Sequence, residues 1–442
     1  MSNFGYVRIV VVASLAGTLF GFDTAVIAGV THSLVHEFSL TPAGLGWAVS
    51  SALWGTLLGA LAVGPPADRF GSRDLLRLVG FLYVASAVGC ALAWNLPTFL
   101  LFRFLAGVAI GSSSVLAPVY IAEIAPADRR GALVGLFQIN IVIGILLAYC
   151  SNFLVAEAVD VGIAWRVKLA VAVLPAATFL VLLFTIPNSP RWLALKGRTD
   201  EARQSLVRLG NADPAATVDT YTVSAAGAAG PRLSWRLHRR PIVLAVGLAV
   251  FNQLSGINAI LYYLGDIFAA AGFSSWSADL QSVVIGAANL VATLVGLALI
   301  DRLGRRTLLL IGSVGTAAAL LGVTLIMATG QGRGWLLPLL VLFIAFFAVS
   351  QGAVIWVYLS EIFPTAVRAR GQGLGSAAHW ILNALISAAF PVIAAHSKAT
   401  PFAFFALAMI VQFFVVLALF PETRGVALER MEDVMRSPRR ST

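Results

Sequence analysis

The stretch Asp68–Arg73, DRFGSR, recurs about 233 residues further along the chain as Asp301–Arg306, DRLGRR. A second pair of copies, Tyr120–Pro126 (YIAEIAP) and Tyr358–Pro364 (YLSEIFP), is separated by about 238 residues. Both offsets are close to half of the 442 residues, so the chain is predicted to contain two copies of one structural unit. Duplication on this scale is typical of proteins built from two helical bundles in a membrane.

The composition places the chain in lipid. Hydrophobic residues make up 59% of it and charged residues only 11%, and the mean hydropathy is +0.89. A soluble domain carries about 25% charged residues, because it must cover itself with polar surface. The net charge of +10 comes from short basic clusters between apolar runs. That distribution indicates membrane topology and argues against a nucleic-acid partner.

Apolar runs predict the helices, since about 20 apolar residues are needed to cross the hydrocarbon. The fold class predicted is an all-α membrane protein with twelve transmembrane helices, arranged as two six-helix bundles related by a pseudo-two-fold axis. Twelve runs qualify, at about 7–30, 45–65, 75–94, 97–123, 130–155, 164–186, 241–270, 277–300, 307–328, 335–361, 370–396 and 400–420.

Four segments follow from the spacing of these runs. The predicted segments are an N-terminal bundle at 1–187, a cytoplasmic linker at 188–240, a C-terminal bundle at 241–425 and a cytoplasmic tail at 426–442. Within the linker, Thr199–Leu209 favours an amphipathic helix and 223–230 is an Ala/Gly-rich link. Arginine clusters such as Arg129/Arg130 and Arg305/Arg306 share one side with the linker and the tail. The positive-inside rule therefore places both termini in the cytoplasm, in a plasma or inner membrane.

The motifs resemble those of the sugar porter family of the major facilitator superfamily, over nearly the whole chain. Besides the two DRxG[RS]R copies, they are FGFDTAVIAG (20–29), PVYIAEIAPADRRG (118–131), SPRWL (189–193), FNQLSGINAILYY (251–263), WVYLSEIFPTAVR (356–368) and PETRG (421–425). The resemblance implies alternating-access transport of a monosaccharide, hexose or pentose, with a proton as co-substrate. It implies no cofactor and a chain that functions as a monomer.

Asp23 lies in the middle of the first run. A carboxylate at bilayer depth is costly, so it is a functional candidate by default, and the partner predicted for it is Arg103. An arginine nearby favours the charged carboxylate while desolvation disfavours it, so a site that changes both could bind and release a proton. The resemblance maps this pair onto that of proton-coupled members. The alternative is a fixed salt bridge that only orders helix packing.

The cargo site is predicted from uncharged polar side chains within the runs. Sugar hydroxyls must be paired when they leave water, and the apolar sugar face suits an aromatic ring. The candidates are Gln138, Asn252, Gln253, Asn258, Asn289, Asn383, Trp356 and Trp380. Of these, the resemblance maps Gln138, Gln253, Asn258, Asn289 and Trp356 onto sugar contacts. The alternative is that such amides merely tie helices together.

Gating is predicted for charged residues at the cytoplasmic helix ends, paired as Glu123 with Arg130, Glu361 with Arg368, and Asp68 or Asp301 with a nearby arginine. Such ion pairs could hold one state closed and break in the other, or could merely anchor loops. Tyr262 and Tyr263 are predicted to form an extracellular gate. The cytoplasmic set is Asp68, Arg69, Glu123, Arg130, Arg191, Asp301, Arg305, Glu361, Arg368 and Glu422.

Three departures from the family pattern affect these expectations. Asn188 stands where a Glu usually precedes the Ser-Pro-Arg motif, which predicts a weaker or differently connected latch in the first half. His379 stands where Gln or Asn is usual, and its role is left open. The tenth run lacks the usual proline near Ala353, which predicts a straighter helix there.

Enzymatic chemistry has no support in the sequence. It contains no nucleotide-binding GxxxxGK[ST] loop, no HExxH zinc motif and no nucleophile elbow. The alternatives to proton-coupled transport are an uncoupled sugar uniporter, an exporter of another small molecule with the same fold, and a sugar receptor that does not transport. A receptor would carry a long cytoplasmic tail, and an anion exporter would need further central basic residues.

Overall fold

The computed structural model describes residues 4–125, 130–211, 213–225, 233–364 and 367–424. All regular secondary structure in these ranges is helical. The predicted tail at 426–442, residues 226–230 of the predicted link and the side chain of Arg130 lie outside the described part.

The helices of the first half and of the linker are α1 (Phe4–Val26), α2 (Thr31–Glu37), α3 (Pro42–Ala62), α4 (Gly64–Phe70), α5 (Ser72–Ala91), α6 (Leu96–Ile124), α7 (Arg130–Ala158), α8 (Val161–Ala170), α9 (Val173–Leu182), α10 (Pro190–Leu195), α11 (Thr199–Arg208) and α12 (Pro214–Ala225). Those of the second half are α13 (Trp235–Leu254), α14 (Ile257–Tyr262), α15 (Leu264–Ala270), α16 (Ser275–Leu303), α17 (Arg305–Thr329), α18 (Leu336–Phe347), α19 (Ala353–Glu361), α20 (Arg368–His396) and α21 (Thr400–Leu419). Short 3-10 turns occur at Ile27–Gly29 and Arg333–Trp335.

Twelve spans in the described ranges are long and apolar enough to cross a membrane, which confirms the predicted number. The predicted amphipathic helix of the linker is present as α11. The run predicted at 241–270 is not one helix. Its membrane-spanning part ends at Tyr262, and α15 follows as a separate short helix.

The chain divides into two compact units. The first unit comprises Met1–Val30 and Ser51–Ala229, and the second comprises Thr31–Ser50 and Gly230–Thr442. The segment Thr31–Ser50 belongs to the second unit through close backbone packing: a Cβ on Gly46 would lie 2.2 Å from the carbonyl oxygen of Ala388. The segment boundaries predicted from the sequence stay predictions.

In the first unit, α1 packs closely against α7. A Cβ on Gly21 would lie only 1.8 Å from the carbonyl oxygen of Ile141, so glycine is required at this crossing. Small residues at helix contacts are the usual means of close packing in membranes. Asn140 of α7 strengthens the contact by donating to Ser14 Oγ (3.0 Å) and accepting from Thr18 Oγ1 (3.1 Å). This contact fixes the position of the helix that carries Asp23.

In the second unit, the chain is interrupted between α13 and α14. Gly256 has φ +80°, which is a left-handed conformation that side-chain-bearing residues rarely adopt. A Cβ there would also lie 2.2 Å from the ring of Phe405. The helix therefore breaks at this glycine, between Gln253 and Asn258.

The tenth span is irregular although it lacks the family's proline. Residues Ala348–Gly352 form a π-helical turn between α18 and α19. In such a turn the backbone hydrogen bonds span five residues instead of four, and π turns are frequent at functional sites. The predicted straight helix is thus wrong in one respect, because a π turn interrupts the α-helical pattern four residues before Trp356.

Candidate functional site

The structure brings together Asp23 of α1 and Arg103 of α6, which are 80 positions apart. Arg103 Nη1 donates to Oδ1 and to Oδ2 of Asp23, each at 3.0 Å. The Arg103 side chain is 3% exposed and that of Asp23 is 16% exposed. Arg103 Nε is buried and makes no hydrogen bond within the described part of the chain. The pair is therefore bound through one nitrogen, and the carboxylate is the partner that keeps access to its surroundings.

The buried amides of the second unit form one connected group around Gln253. Its Nε2 donates to Asn252 Oδ1 (3.2 Å), and its Oε1 accepts from Asn258 Nδ2 (3.1 Å). Asn252 and Gln253 are each 2% exposed, while Asn258 is half-buried. The bend at Gly256 makes this possible, because it turns the Asn258 side chain back toward the end of α13.

His379 of α20 belongs to the same group, which the sequence did not establish. Gln253 Nε2 lies 3.2 Å from Nδ1 and 3.1 Å from Nε2 of the imidazole. A neutral ring has one unprotonated nitrogen that accepts from this N–H, whereas a cationic ring has donors only. Trp356 and Trp380 flank the ring, with centroids 5.3 and 5.1 Å away. The sequence offered one signal: His379 stands where the family usually has Gln or Asn, on a helix that also carries Trp380 and Asn383.

A second polar group links the predicted gate to α20. Asn383 Nδ2 donates to the hydroxyl of Tyr262 (3.3 Å), and Ser387 Oγ donates to Asn383 Oδ1 (3.2 Å). Tyr263 donates to the carbonyl oxygen of Ser387 (2.9 Å) and stacks on Phe390. Both tyrosines are buried. Asn383 therefore contacts a predicted gate residue rather than the amides around Gln253.

The remaining cargo candidates lie on separate helices. Gln138 is half-buried on α7 of the first unit, and Asn289 is buried on α16 of the second. Trp356 is 38% exposed, in contrast to Trp380 at 4%. Trp356 thus presents a partly exposed indole that lies beside the imidazole of His379.

At the other end of the second unit, Arg305 connects three of the predicted gating residues. Its Nη1 donates to Asp301 Oδ1 and its Nη2 to Glu361 Oε1, both at 2.8 Å. Glu422 accepts the backbone N–H groups of Arg305 (2.9 Å) and Arg306 (3.0 Å) at the start of α17. The N-terminus of a helix is a favourable site for a carboxylate. Glu361 was predicted to pair with Arg368, which is half-buried, and that pairing stays a prediction. The bonds that Glu361 makes in the structure include those to Arg305.

In the first unit, the corresponding residues are connected differently. Asp74 Oδ1 forms ion pairs with Arg73 Nη2 and Arg77 Nη1, each at 2.9 Å. Asp68 is exposed, and its backbone carbonyl oxygen accepts a hydrogen bond from Trp192 Nε1. Three further predicted gating residues are described in this unit. Arg69 is exposed and lies over the ring of Phe70. Glu123 is half-buried, bonds to Ser189 and lies near the exposed Arg191.

Asn188 shows the consequence of the missing Glu. Its side chain is 8% exposed, and its Oδ1 is buried without a hydrogen-bond partner among the described residues. The second unit has no matching deficit at Glu422, whose two oxygens both accept backbone N–H groups. The two halves thus stabilise their equivalent ends in different ways.

Comparison with known proteins decides the family. A family model described as "Sugar (and other) transporter" matches residues 9–435. The chain belongs to this sugar transporter family. It is 35% identical over 475 residues to the D-xylose-proton symporter of Escherichia coli K12, covering 97% of this chain and 96% of that one. It is 34% identical to the glucose transporter GlcP of Staphylococcus epidermidis, covering 97% of each.

Solved structures of the family agree with the fold. The inward open conformation of the xylose transporter XylE from Escherichia coli matches with a TM-score of 0.87 and 32% identity, over 97% of this chain and 99% of that one. The predicted fold class and the resemblance to the sugar porter family are therefore confirmed. The chain is a multi-pass membrane transporter of the sugar transporter family.

For this transporter we predict that His379 positions the Gln253 amide. His379→Leu should weaken sugar binding about tenfold, a loss of about 1.4 kcal/mol, because Gln253 Nε2 loses its imidazole acceptor and its amide can turn. His379→Gln offers an amide oxygen as acceptor and should restore most of the affinity. Equilibrium binding of sugar to the purified protein measures both. Equal weakening by Leu and Gln would contradict a positioning role. The control is Ser313→Ala, which removes a buried hydroxyl of α17 that donates to the carbonyl oxygen of Leu309 and takes no part in these contacts.

For the cluster around Arg305 we predict a loss of stability on Arg305→Lys. A lysine cannot bond both oxygens of Glu361 and Asp301 together, and charge-assisted bonds are worth about 1.5–3 kcal/mol. The thermal unfolding midpoint of the solubilised protein should fall by at least about 4 °C, at roughly 2–4 °C per kcal/mol. Arg302→Lys is the matched control because Arg302 is exposed. A fall of the same size in both variants would contradict the assignment.

Proposed function

We propose that this chain carries a monosaccharide across the cell membrane together with a proton, by alternating access. The observation that carries the proposal is the Asp23–Arg103 pair within a span, in which the carboxylate stays partly exposed and the guanidinium is buried and incompletely bonded. The names of relatives support it: one is a D-xylose-proton symporter and another a glucose transporter. Since xylose is a pentose and glucose a hexose, the cargo class is a monosaccharide of either size.

Coupling would arise from competition between the proton and Arg103 for Asp23. In the proposed cycle, the arrangement in which both carboxylate oxygens bond to Arg103 Nη1 is the one that holds no proton. When the guanidinium withdraws, desolvation favours the neutral acid and a proton is bound. A pair joined through a single nitrogen can separate more easily than a bidentate one. The proton would therefore be taken up in one state and lost in the other.

The cargo site proposed in the second unit is the group formed by Asn252, Gln253, Asn258 and His379, with Trp356 beside it. Amides supply donors and acceptors to sugar hydroxyls, and a partly exposed indole suits the apolar sugar face. No residue of the group carries a fixed charge, as a neutral polyhydroxylated cargo requires. Asn289, Asn383 and Trp380 stay predicted contacts of this site, and Gln138 of the first unit stays a predicted sugar contact.

Two further expectations belong to the proposal. Both termini are placed in the cytoplasm by the basic clusters, and the basic residues at Arg305 and Arg306 then mark the inner face. Tyr262 and Tyr263 would lie toward the outer face as a gate, joined to α20 through Asn383 and Ser387. A single chain contains both sites, so the monomer is proposed as the functional form.

The second candidate is an uncoupled sugar uniporter, favoured by the short Asp23–Arg103 distance if that pair is only structural. Uptake of a panel of pentoses and hexoses into proteoliposomes, with and without an acid-outside gradient, separates the two. Symport predicts accumulation of at least one sugar above equilibrium when the gradient is imposed. Equilibration to equal concentrations with or without the gradient would contradict symport and support the uniporter.

A further inference from the structure

A buried carboxyl group that belongs to neither proposed site lies on α15 of the second unit. The short helix α2 packs against α15, and the carboxyl of Asp266 accepts a hydrogen bond from the side chain of Thr31 on α2. The other oxygen, Oδ2, is buried and has no hydrogen-bond partner among the described residues. Asp266 falls between the spans that end at Tyr262 and begin at Ser277, so it is outside the membrane-spanning segments.

An ionised carboxylate is poorly suited to this environment. A buried polar atom without a partner is costly, and a buried charge is costlier still, whereas the neutral acid removes the charge. Burial raises the pKa of the Asp266 carboxyl from its ordinary 3.8 to about 6, against the opposing effects of the Thr31 hydrogen bond and of His32. The docked arrangement of α2 and α15 therefore favours the protonated acid.

Other titratable groups surround this carboxyl on the elements that pack near it. On α2, His32 and His36 contact each other with ring centroids 5.2 Å apart. The remaining groups in the neighbouring elements are Glu37 on α2, Tyr262 and Tyr263 beside the start of α15, Asp279 on α16, and Arg333 and Lys398 near the end of α15. His32 is the one of these that lowers the pKa of Asp266, so a cationic His32 opposes protonation of the acid.

We propose that Asp266 is a second proton-binding site of this transporter, and that protonation of Asp266 strengthens the docking of α2 on α15. The proposal does not use the Asp23–Arg103 pair and holds whether or not that pair couples transport. Only the turn Ile27–Gly29 and Val30 join α2 to the helix that carries Asp23. By the topology proposed above, the site faces the outside, so external pH would set how firmly the segment after α1 is held.

The direction of the pH effect follows from the raised pKa. The undocked acid ionises near pH 3.8 and the docked acid near 6, so docking is strongest below the lower value. It weakens as the pH rises through this window and changes no further above about 6. A difference of about two pKa units corresponds to roughly a 100-fold change in the docking equilibrium.

Hydrogen exchange of the backbone amides in residues 31–37, measured by mass spectrometry between pH 4 and 8 without sugar, tests the proposal. Asp266→Asn mimics the neutral acid, and dividing by its exchange at each pH removes the intrinsic pH dependence. Wild type and Asp266→Asn should be equally protected near pH 4, and wild type should exchange at least tenfold faster above pH 6. Asp279→Asn is the matched control and should behave as wild type.

A constant ratio of wild type to Asp266→Asn across the whole range would overturn the proposal, as would loss of the transition in Asp279→Asn. Thr31→Val provides a test that retains the acid, since Thr31 is buried and valine keeps its shape. Removing the hydrogen bond that favours the carboxylate should move the midpoint of the transition to higher pH. An unmoved midpoint contradicts the assignment to Asp266. Because no gradient or cargo is used, failure here leaves the symport proposal untouched.

Discussion

Asp23→Asn is expected to abolish uphill accumulation of sugar in proteoliposomes while counterflow continues at close to the wild-type rate. The amide is nearly the shape of the protonated acid, so cargo binding and the conformational cycle persist. It cannot exchange a proton, so the gradient no longer performs work on the cargo. A difference of one pH unit is worth about 1.4 kcal/mol per proton, which supports about tenfold accumulation in wild type. The variant should stop at equal concentrations inside and outside.

Asp160→Asn is the control for this change. Asp160 is exposed and caps the start of α8 by accepting the backbone N–H of Gly162. Asp160→Asn therefore makes the same change from carboxylate to amide at a residue that belongs to no proposed site. Uphill uptake should be unaffected by it. Undiminished accumulation by Asp23→Asn would defeat the coupling proposal. Loss of counterflow together with accumulation would instead assign the Asp23–Arg103 pair to helix packing.

Gln253→Ala and Asn258→Ala should each weaken sugar binding at least tenfold, a loss of about 1.4 kcal/mol or more. Gln253 bonds to Asn252, Asn258 and His379, so its removal both deletes a proposed sugar contact and leaves three neighbours without one of their bonds. A buried sugar hydroxyl left unpaired costs about 1–3 kcal/mol. Equilibrium titration of the purified protein with the transported sugar measures the change. Because the two amides are bonded to each other, the double variant should lose less than the sum of the single losses.

Gln281→Ala is the matched control for both variants. Gln281 is a buried amide of α16 whose Nε2 bonds within its own helix to Ser277 Oγ at 2.8 Å. Its loss should leave sugar affinity within about twofold, because no proposed cargo contact depends on it. Unchanged affinity in Gln253→Ala and Asn258→Ala alike would place the cargo elsewhere.

Much of the fold was predictable because hydropathy and spacing act locally. The number of spans and the helix α11 both follow from short stretches of sequence. The π turn at Ala348–Gly352 does not, since nothing local distinguishes it from a regular helix and the absence of a proline suggested the opposite. The division of α13, α14 and α15 was likewise hidden within one continuous apolar run.

Candidate side chains for the site could be chosen one by one from the sequence, but their contacts with one another could not. Asp23 and Arg103 could be paired across 80 positions because charged residues deep in a span are few. The amides are numerous, so their mutual bonds, and the place of His379 among them, could not be chosen from sequence. Glu361 was matched with Arg368, seven positions away, and its bonds to Arg305, 56 positions away, could not be chosen from the sequence. Asp266 fell near the end of the run predicted at 241–270 and was given no role, because its packing with Thr31 is visible only in the structure.

By itself, the sequence determined that lipid is the solvent, that twelve helices cross it in two duplicated halves, and which polar side chains are committed to the interior. Those properties depend on the hydropathy and charge summed over neighbouring residues, and the linear sequence contains that information in full. The tertiary structure alone decided which of these groups bond to one another and which oxygen is left buried without a partner. Such pairings depend on distances of a few ångströms between helices that are far apart in the chain.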